Sequence, residues 1–289
     1  MRIAILVLCH KNSDQINFLL NSINHPSIDV FVHVDKKSTL SINKEKNVYL
    51  LKNEKRVNVV WADFSQVEAT LNLIEEARTI NRYDYYFLCS GQDLPIKPIR
   101  EFVSFLEKKN GISFINFFES KNYLLNKLNN HDKCNSLYYP QWMFGRENWK
   151  RIIRRLYVEV TGGYNHTFAI FKRKLKGVDF YFGSQWWCLH SNVIEWMISY
   201  IQNNPDYIRY YRNCSTPDES FFQTLFMLSP YSSLREDYLH YIKWQDGSNS
   251  PDILTQSNYV DMINSKKLFA RKFDFNIDRK IADDLKIQE

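Results

Sequence analysis

The chain has 289 residues, a formal net charge of +6 and a pI near 8.9. This length suits one large α/β domain or two closely joined halves, and such mild basicity is too weak to indicate a nucleic-acid partner. The five cysteines are odd in number and form no CxxC pair, which argues against a disulfide framework and a zinc cluster and favours a reducing, cytosolic setting.

The first apolar run, RIAILVL, stops before His10 and Lys11, and no small-residue cleavage site follows it. It therefore predicts a buried strand rather than a signal peptide. No apolar run approaches the ~20 residues that cross a bilayer. From these features we expect a cytoplasmic protein that is soluble or lies peripherally on the inner face of the membrane.

Strands and helices alternate over the first 120 residues. RIAILVL and VFVHV predict strands on either side of a helix, SDQINFLLNSI. VNVVW predicts a third strand, followed by a helix that begins with a capping box from Ser65 to Glu68, and YDYYFLC predicts a fourth strand. This order is typical of βαβ units, so the sequence predicts an α/β fold with a Rossmann-like, mostly parallel sheet flanked by helices.

Polar residues follow the ends of these predicted strands, namely His10, His33, Asp35, Ser90 and Asp93. In a parallel sheet such positions lie where a nucleotide binds, although each residue alone is equally consistent with an ordinary polar loop. The first turn, LCHKN, lacks the glycine-rich dinucleotide fingerprint, and the chain contains no Walker A loop and no GxSxG elbow. These absences argue against nicotinamide or flavin enzymes, P-loop kinases and the usual hydrolases.

The region 146–176 is basic. Its predicted helix places four cations on one face, namely Lys150, Arg151, Arg154 and Arg155. The other face holds three apolar residues, namely Ile152, Ile153 and Leu156. A solvated amphipathic helix is the simpler interpretation. The alternative is a surface that contacts anionic lipid or the phosphate of a lipid-linked acceptor.

Two later segments suggest a site. In YFGSQWWCL, Trp186 and Trp187 are adjacent, and neighbouring strand residues point to opposite faces, so one of them should face a pocket or another layer. In TPDESFFQT, Thr216 suits an N-cap and Pro217 the first helical position, which makes Glu219 the third residue of a capping box. Helix capping alone therefore explains Glu219.

Five segments, in this order, carry a resemblance to a known family: WADFSQVEATLNLIEEA, YFLCSGQDLPIKP, GSQWWCL, TPDESFFQT and LFARKFD. They resemble the core-2/I-branching β-1,6-N-acetylglucosaminyltransferases and peptide O-xylosyltransferases, glycosyltransferase family 14, from Met1 to about Asp278. The resemblance implies a GT-A type nucleotide-sugar fold. We expect one catalytic domain over 1–289, with a nucleotide-binding half, 1–118, and an acceptor and catalytic half, 119–289.

The resemblance also implies a reaction, the inverting transfer of a sugar from a UDP-sugar to a hydroxyl. N-acetylglucosamine is the first expectation, with UDP-xylose or a UDP-galactose form as rival donors. By similarity to the family, Glu219 is the general base and Arg271 and Lys272 stabilise the leaving diphosphate in place of a metal ion. The chain contains no Asp-x-Asp motif, and we expect no cofactor.

The remaining site residues are assigned by strand-end position and by resemblance. Uracil and ribose are expected near His10, His33 and Asp35. The donor sugar or acceptor is expected near six residues, Ser90, Asp93, Gly183, Ser184, Trp186 and Asp218.

Eukaryotic members of the family carry a membrane anchor and disulfides, and this sequence shows neither, so it resembles a bacterial, cytosolic relative. A growing polysaccharide on a lipid carrier is then the expected acceptor. Two alternatives stay open, a protein that binds nucleotide sugars or glycans without turnover and a nucleotidyltransferase. The missing Asp-x-Asp weighs against the latter, which normally needs carboxylates for a metal.

Overall fold

The computed structural model describes residues 1–43, 45–118, 140–160, 175–245 and 250–286. Within these ranges the strands are β1 Ile3–Cys9, β2 Ile28–Val34, β3 Val48–Leu50, β4 Tyr85–Ser90, β5 Asp93–Pro95, β6 Ser113–Ile115, β7 Trp187–His190, β8 Arg235–Glu236, β9 His240–Ile242 and β10 Phe269–Arg271. The helices are α1 Ser13–Ser22, α2 Ser65–Ile80, α3 Ile99–Lys108, α4 Asn148–Val160, α5 Ser191–Asn203, α6 Pro205–Tyr211, α7 Phe221–Leu228, α8 Tyr259–Asn264 and α9 Lys280–Lys286. Among these described helices, none combines the length and the apolar character needed to cross a bilayer.

The central sheet has seven strands in the order β3-β2-β1-β4-β7-β6-β8. β1 pairs in parallel with β2 and β4, and β2 pairs in parallel with β3. β7 runs antiparallel to both β4 and β6. The predicted α/β fold with a mostly parallel sheet is confirmed, and strands from both predicted halves of the chain belong to this one sheet.

Helices cover both faces of the sheet, and β1 shows why. Its alternate residues Ile3, Ile5 and Val7 are buried in one core with α1 and α3. Ala4 and Leu6 are buried in a second core with α2 and α5. A strand that is buried on both faces must be apolar throughout, which explains the uninterrupted run in the sequence.

The third predicted strand, VNVVW, is wrong: residues 57–60 form an irregular segment, and the third strand is instead β3. Backbone N–H groups that would bond to a neighbouring strand donate instead to side chains. The N–H of Val57 donates to His33 Nε2 at 2.8 Å, and the N–H of Val60 donates to Ser65 Oγ at 2.8 Å. β-branched residues therefore form a loop here because tertiary hydrogen bonds outweigh their strand propensity.

The capping box predicted at the start of α2 is also wrong. Ser65 is already helical, and the preceding residue, Phe64, makes no side-chain capping bond. Asp63 acts instead, because its Oδ1 accepts the N–H of Ser65 at 2.8 Å. Glu68 pairs with Arg212 at 3.3 Å rather than returning to the helix start.

The predicted faces of the basic helix, α4, are wrong as well. Arg154 turns toward the protein and donates to the carbonyls of Met143 and Gly145. Ile152 and Leu156, expected to be covered, are 61% and 55% exposed. The rest of the basic region, residues 161–174, lies outside the described residues.

A second, smaller sheet holds the C-terminal part of the chain. Its order is β5-β10-β9, with β10 antiparallel to β5 and parallel to β9. The amide of Gln15 ties this sheet to α1, because its Nε2 donates to the carbonyls of Gly91 and Phe273 at 2.9 and 3.1 Å. Lys11 adds an ion pair to Asp274 at 2.6 Å.

Gly183 lies where the segment before β7 passes the end of β6. A Cβ atom at this position would meet the carbonyl oxygen of Asn116 at 1.8 Å. The N–H of Gly183 donates to the carbonyl of Glu219 at 2.9 Å. Because glycine has no side chain, the segment before β7 can pack closely against Asn116 at the end of β6 and against the turn that contains Glu219.

We expect Gly183→Ala to lower the free energy of unfolding by at least the ~1–3 kcal/mol typical of overpacking, because a backbone carbonyl cannot rotate away from the new methyl group. Gly177→Ala is the matched control, since Gly177 has φ 75° and open space around its Cβ position. It should cost only the ~1–2 kcal/mol of a left-handed backbone. Urea unfolding measures both, and equal losses would contradict the steric argument.

Candidate active site

A cavity of about 990 Å³ opens at the edge of the central sheet where β1, β2 and β4 end. Because β7 runs antiparallel to β4, its first residues arrive at this same edge, which brings Ser184 and Trp186 beside the ends of the parallel strands. The predicted site residues that line the cavity are His10, His33, Asp35, Ser90, Ser184, Trp186, Asp218, Glu219, Arg271 and Lys272. Asp93 and Gly183 do not line it.

The two predicted nucleotide residues at the end of β2 are buried, and both are held by the protein. His33 uses Nε2 to accept the N–H of Val57, and burial lowers the pKa of His33 to about 4, so the imidazole is neutral. Asp35 accepts the N–H of Lys37 at 3.1 Å and forms an ion pair with Lys37 Nζ at 3.4 Å. These side chains form a polar wall of fixed geometry.

His10 differs from these two because it is exposed at the turn after β1. Desolvation lowers its pKa, and the charge of Lys11 lowers it further. His10 is therefore a neutral side chain available at the cavity surface.

Among the described residues, positive side chains outnumber negative ones around the cavity. Six described Lys or Arg residues line it, namely Lys11, Lys37, Arg146, Lys150, Arg271 and Lys272, against four described carboxylates, Asp35, Glu147, Asp218 and Glu219. Burial lowers the pKa of Lys272, and the charges of Arg271, Lys11 and Arg146 lower it further. Mutual repulsion among cations is relieved when an anion binds between them, so the arrangement favours an anionic ligand.

Arg271 is 8% exposed and lies over an aromatic ring, with its Cζ 3.9 Å from the centre of the Trp186 ring. Trp187 is fully buried, and Trp186 belongs to the same second core but also lines the cavity. One of the two adjacent tryptophans therefore faces a pocket, as the sequence predicts. The Trp186 ring therefore packs against the Arg271 guanidinium.

Asp93 was expected beside the donor sugar, and the structure places it elsewhere. It is fully buried behind Arg271, whose Nε lies 3.6 Å from its Oδ1. Ser90 holds the carboxylate with both its N–H and its hydroxyl, each at 2.8 Å. Burial alone would raise the pKa of Asp93, but Arg271, His240 and the N–H of Ser90 outweigh it and hold that pKa below its usual value. Asp93 is thus a buried counterion rather than a sugar ligand.

Glu219 stands at the cavity wall at the end of a 3-10 turn, Pro217–Glu219, and α7 begins only at Phe221. The predicted capping box is therefore wrong. Thr216 adopts a left-handed backbone with φ 51°, and its hydroxyl donates to the Ser215 carbonyl at 2.7 Å instead of capping a helix. The position of Glu219 comes from its own main chain, whose N–H donates to the carbonyl of Thr216 and whose carbonyl accepts the N–H of Gly183.

The loop that carries Glu219 is anchored across the cavity. The N–H of Thr216 donates to the carbonyl of Ala62 at 3.0 Å, and Ala62 also has a left-handed backbone, with φ 64°. Two non-glycine residues in this sparsely populated region, bonded to one another, are typical of functional sites. The arrangement fixes the turn of Glu219 relative to the loop after residue 57.

Asp218 lies beside Glu219 and is only partly accessible. Its Oδ1 is buried without a hydrogen-bond partner among the described residues. Burial and the neighbouring charge of Glu219 raise the pKa of Asp218 to about 7. Asp218 therefore binds a proton more readily than an ordinary aspartate, because its ionisation would place a second negative charge beside Glu219.

Several residues of the cavity could not be predicted from the sequence. Trp61 is 41% exposed and Trp244 is 49% exposed at the cavity, and the guanidinium carbon of Arg146 lies 5.4 Å from the centre of the Trp61 ring. Trp61 begins the segment WADFSQVEATLNLIEEA, which contributes to the family resemblance. No rule of residue spacing, however, identifies an exposed tryptophan. Within the described ranges, no three His, Cys, Asp or Glu side chains converge as metal ligands.

A protein-family model described as "Core-2/I-Branching enzyme" matches residues 3–265. Xylosyltransferase 2 of Mus musculus is 23% identical over 98% of this chain and 33% of its own length. Xylosyltransferase sqv-6 of Caenorhabditis elegans is 26% identical over 76% of this chain and 25% of its own length. A Rattus norvegicus protein, beta-1,3-galactosyl-O-glycosyl-glycoprotein beta-1,6-N-acetylglucosaminyltransferase 3, is 30% identical over 38% of this chain and 26% of its own length.

The chain spans a third or less of the length of these relatives. Among solved structures, mouse xyloside xylosyltransferase 1 in its apo form aligns over 93% of this chain and 97% of that chain, with 10% identity and a TM-score of 0.38. Staphylococcus aureus TarS aligns over 40% of this chain and 21% of that chain, with 13% identity and a TM-score of 0.26.

The raised pKa of Asp218 predicts a pH-dependent stability. Because the folded pKa of about 7 exceeds the ordinary value of 3.8, proton binding by Asp218 favours the folded state at low pH, and this contribution is lost as the pH rises through about 7. Asp218→Asn cannot ionise, so its free energy of unfolding relative to the wild type should increase between pH 5 and pH 8.

Urea unfolding of both proteins at pH 5, 6 and 8 measures this difference. Asp206→Asn is the control, because the side chain of Asp206 is 72% exposed and should show no such trend. A wild-type-minus-variant difference that stays constant across the three pH values would show that Asp218 ionises normally.

Proposed function

The chain belongs to the core-2/I-branching enzyme family, and from this premise we propose that it transfers a sugar from a UDP-sugar to a hydroxyl of a glycan acceptor, with inversion at the anomeric carbon. The observation that carries the proposal is the single cavity that Glu219, Arg271 and Lys272 line together. A carboxylate and two cations on the walls of one cavity are the groups that such a displacement needs.

The proposed chemistry is one displacement. Glu219 takes the proton of the acceptor hydroxyl, the oxygen forms a bond to the anomeric carbon, and the bond from that carbon to the diphosphate breaks. UDP leaves with the bonding electrons. Arg271 and Lys272 stabilise the charge that develops on the diphosphate, Arg271 through a planar set of donors and Lys272 as a point charge. We propose that these cations act without a divalent metal.

The state of Asp218 supports this assignment of roles. Burial and the charge of Glu219 raise the pKa of Asp218, and a carboxyl group with a raised pKa beside a second carboxylate is typical of catalytic pairs.

We place the uridine at the ends of β1 and β2, near His10, His33 and Asp35, in a fold of the GT-A type. The ends of parallel strands are where open α/β sheets bind nucleotides. N-acetylglucosamine is our first donor sugar, with UDP-xylose and a UDP-galactose form as rivals, since the names of the relatives include both xylosyltransferases and an N-acetylglucosaminyltransferase.

We propose that the acceptor glycan is carried on a lipid, with α4 in peripheral contact with an anionic membrane. Four exposed apolar side chains follow one line along this helix, Trp149, Ile152, Leu156 and Val160. Arg151 and Arg155 are exposed beside that line. Apolar residues flanked by cations are typical of helices that lie in the interface of an anionic membrane.

The first experiment measures UDP release from a panel of UDP-sugars in excess EDTA, with and without simple sugar acceptors. Release of UDP from one donor supports metal-free transfer and identifies the sugar. Release only after a divalent cation is added contradicts the role of Arg271 and Lys272 in place of a metal. Tight binding of a UDP-sugar with no release identifies a binding protein without turnover.

On the donor identified in this way, Glu219→Gln should lower the transfer rate ~10²- to 10⁴-fold, the usual cost of losing a positioned base. Its melting temperature should stay near that of the wild type, because the main chain of residue 219, not its side chain, makes the anchoring bonds to Thr216 and Gly183. Glu195→Gln is the control, since Glu195 lies outside the cavity and pairs with Arg78. A lower melting temperature with unchanged activity per folded molecule would show that Glu219 has a structural role and is not the base.

For the membrane contact, sedimentation with vesicles of phosphatidylglycerol and phosphatidylcholine should recover more protein than with phosphatidylcholine alone. The double variant Ile152→Ser with Leu156→Ser should lose this binding because it removes apolar area from the proposed contact. Ile277→Ser is the control, since Ile277 is equally exposed, at 60%, on another part of the surface. Equal recovery of all three proteins would exclude α4 as the contact.

A further inference from the structure

Arg271 lies beside two buried polar side chains of the small sheet, Asp93 and His240. In the register of that sheet Arg271 lies opposite Asp93, and the neighbouring strand β9 begins at His240. The carboxylate of Asp93 reaches both partners, with Oδ1 at 3.6 Å from Arg271 Nε and Oδ2 at 3.5 Å from His240 Nε2. Asp93 and His240 are 0% and 1% exposed, so neither contacts solvent.

Aromatic rings fix the position of His240. Its imidazole stacks on Phe87 with ring centres 5.1 Å apart and an angle of 10° between the planes. The rings of Trp186 and Phe269 lie 6.1 and 6.0 Å away. Burial lowers the pKa of His240, so the imidazole is a neutral hydrogen-bond donor and acceptor rather than a second cation.

Two donor nitrogens of Arg271 are not satisfied by the described residues. Its Nε and Nη1 are buried and have no hydrogen-bond partner among the described residues. A buried donor without a partner is costly, and a guanidinium more so because it is charged. An anion with several acceptor oxygens, such as a diphosphate, would supply what this side chain lacks.

We propose that Asp93 and His240 are positioning residues that hold the Arg271 guanidinium against Trp186, in the orientation that meets the leaving diphosphate. This inference rests on the proposed function. Nε2 of the neutral His240 makes no full hydrogen bond among the described residues and lies 3.5 Å from Oδ2 of Asp93, while Oδ1 attracts Nε of Arg271. This polar contact limits the rotation of the Asp93 carboxylate. Neither residue touches the sugar. A donor that is already oriented stabilises developing charge without reorganisation at the moment of reaction.

The test compares the affinities of uridine and UDP, measured by calorimetry in EDTA, for the wild type and two variants of His240. His240→Phe keeps the ring that stacks on Phe87 but removes the donor. His240→Gln keeps a donor nitrogen at a similar distance from the main chain. We expect His240→Phe to weaken UDP binding about tenfold, the usual scale for a hydrogen bond to a charged group. Uridine binding should be unchanged, and His240→Gln should recover much of the loss.

A double-variant cycle separates positioning from simple packing. If His240 acts through Arg271, His240→Phe should cost nothing further in UDP affinity when Arg271→Gln is already present, because coupled residues are not additive. Additive losses overturn the proposal. Equal weakening of uridine and UDP also overturns it, since that result means a distorted pocket. Should His240→Phe fail to fold, His240→Asn provides the same comparison, because its shorter amide cannot reach Asp93.

The wild-type protein alone distinguishes failure of the proposed function from failure of this inference. If the wild type binds UDP no more tightly than uridine, no diphosphate contact exists, and both proposals fall. If it binds UDP more tightly and His240→Phe retains that preference, the proposed function stands and the positioning role of Asp93 and His240 is overturned.

Discussion

The ion pair between Asp93 and Arg271 is the interaction on which the candidate site depends. A guanidinium at 8% exposure is stable only beside a compensating charge, and Asp93 supplies it from a fully buried position. Buried ion pairs contribute little net stability, because desolvation of both ions offsets their attraction. The pair is therefore better explained by what it presents to the cavity, a cation backed by Trp186 and not saturated by the protein.

The antiparallel direction of β7 determines which residues complete the cavity. A further parallel strand would have brought its carboxyl end to the edge where β1 and β4 end, whereas β7 brings its amino end there. As a result Ser184 and Trp186, which precede β7, reach the same cavity as His10 and Ser90. One antiparallel pairing thus joins the edge where the parallel strands end to groups from the second half of the chain.

Much of the sheet could be predicted from the sequence, and the reason is burial. β1, β2 and β4 are buried on both faces, and their mostly apolar composition leaves a pattern that can be recognised in a single sequence. VNVVW had the same composition but became a loop, because its backbone bonds to His33 and Ser65 come from distant residues that no local pattern reveals. Both capping boxes failed for a related reason, since their polar side chains had alternative partners in the folded protein.

The candidate site was predicted only in part for the same physical reason. Strand-end logic reached His10, His33 and Asp35, and the resemblance supplied Glu219, Arg271 and Lys272, all of which line one cavity. Asp93 was placed on the wrong side of Arg271, because a sequence shows that a carboxylate follows a strand but not which way its side chain turns. His240 carried no signal at all, since a single histidine in LHYIKW is indistinguishable from a core residue.

Residues far apart in the sequence meet beside the cavity, and this has a consequence for how the protein is made. Lys11 pairs with Asp274, and Gln15 bonds to Phe273, contacts that span 263 and 258 residues. On a ribosome, strands β1 to β5 emerge well before β10, the strand that carries Arg271. Until β10 emerges, Asp93 is a carboxylate without its cation. The charge balance of the candidate site therefore arises only after the first strands of the central sheet have been synthesised.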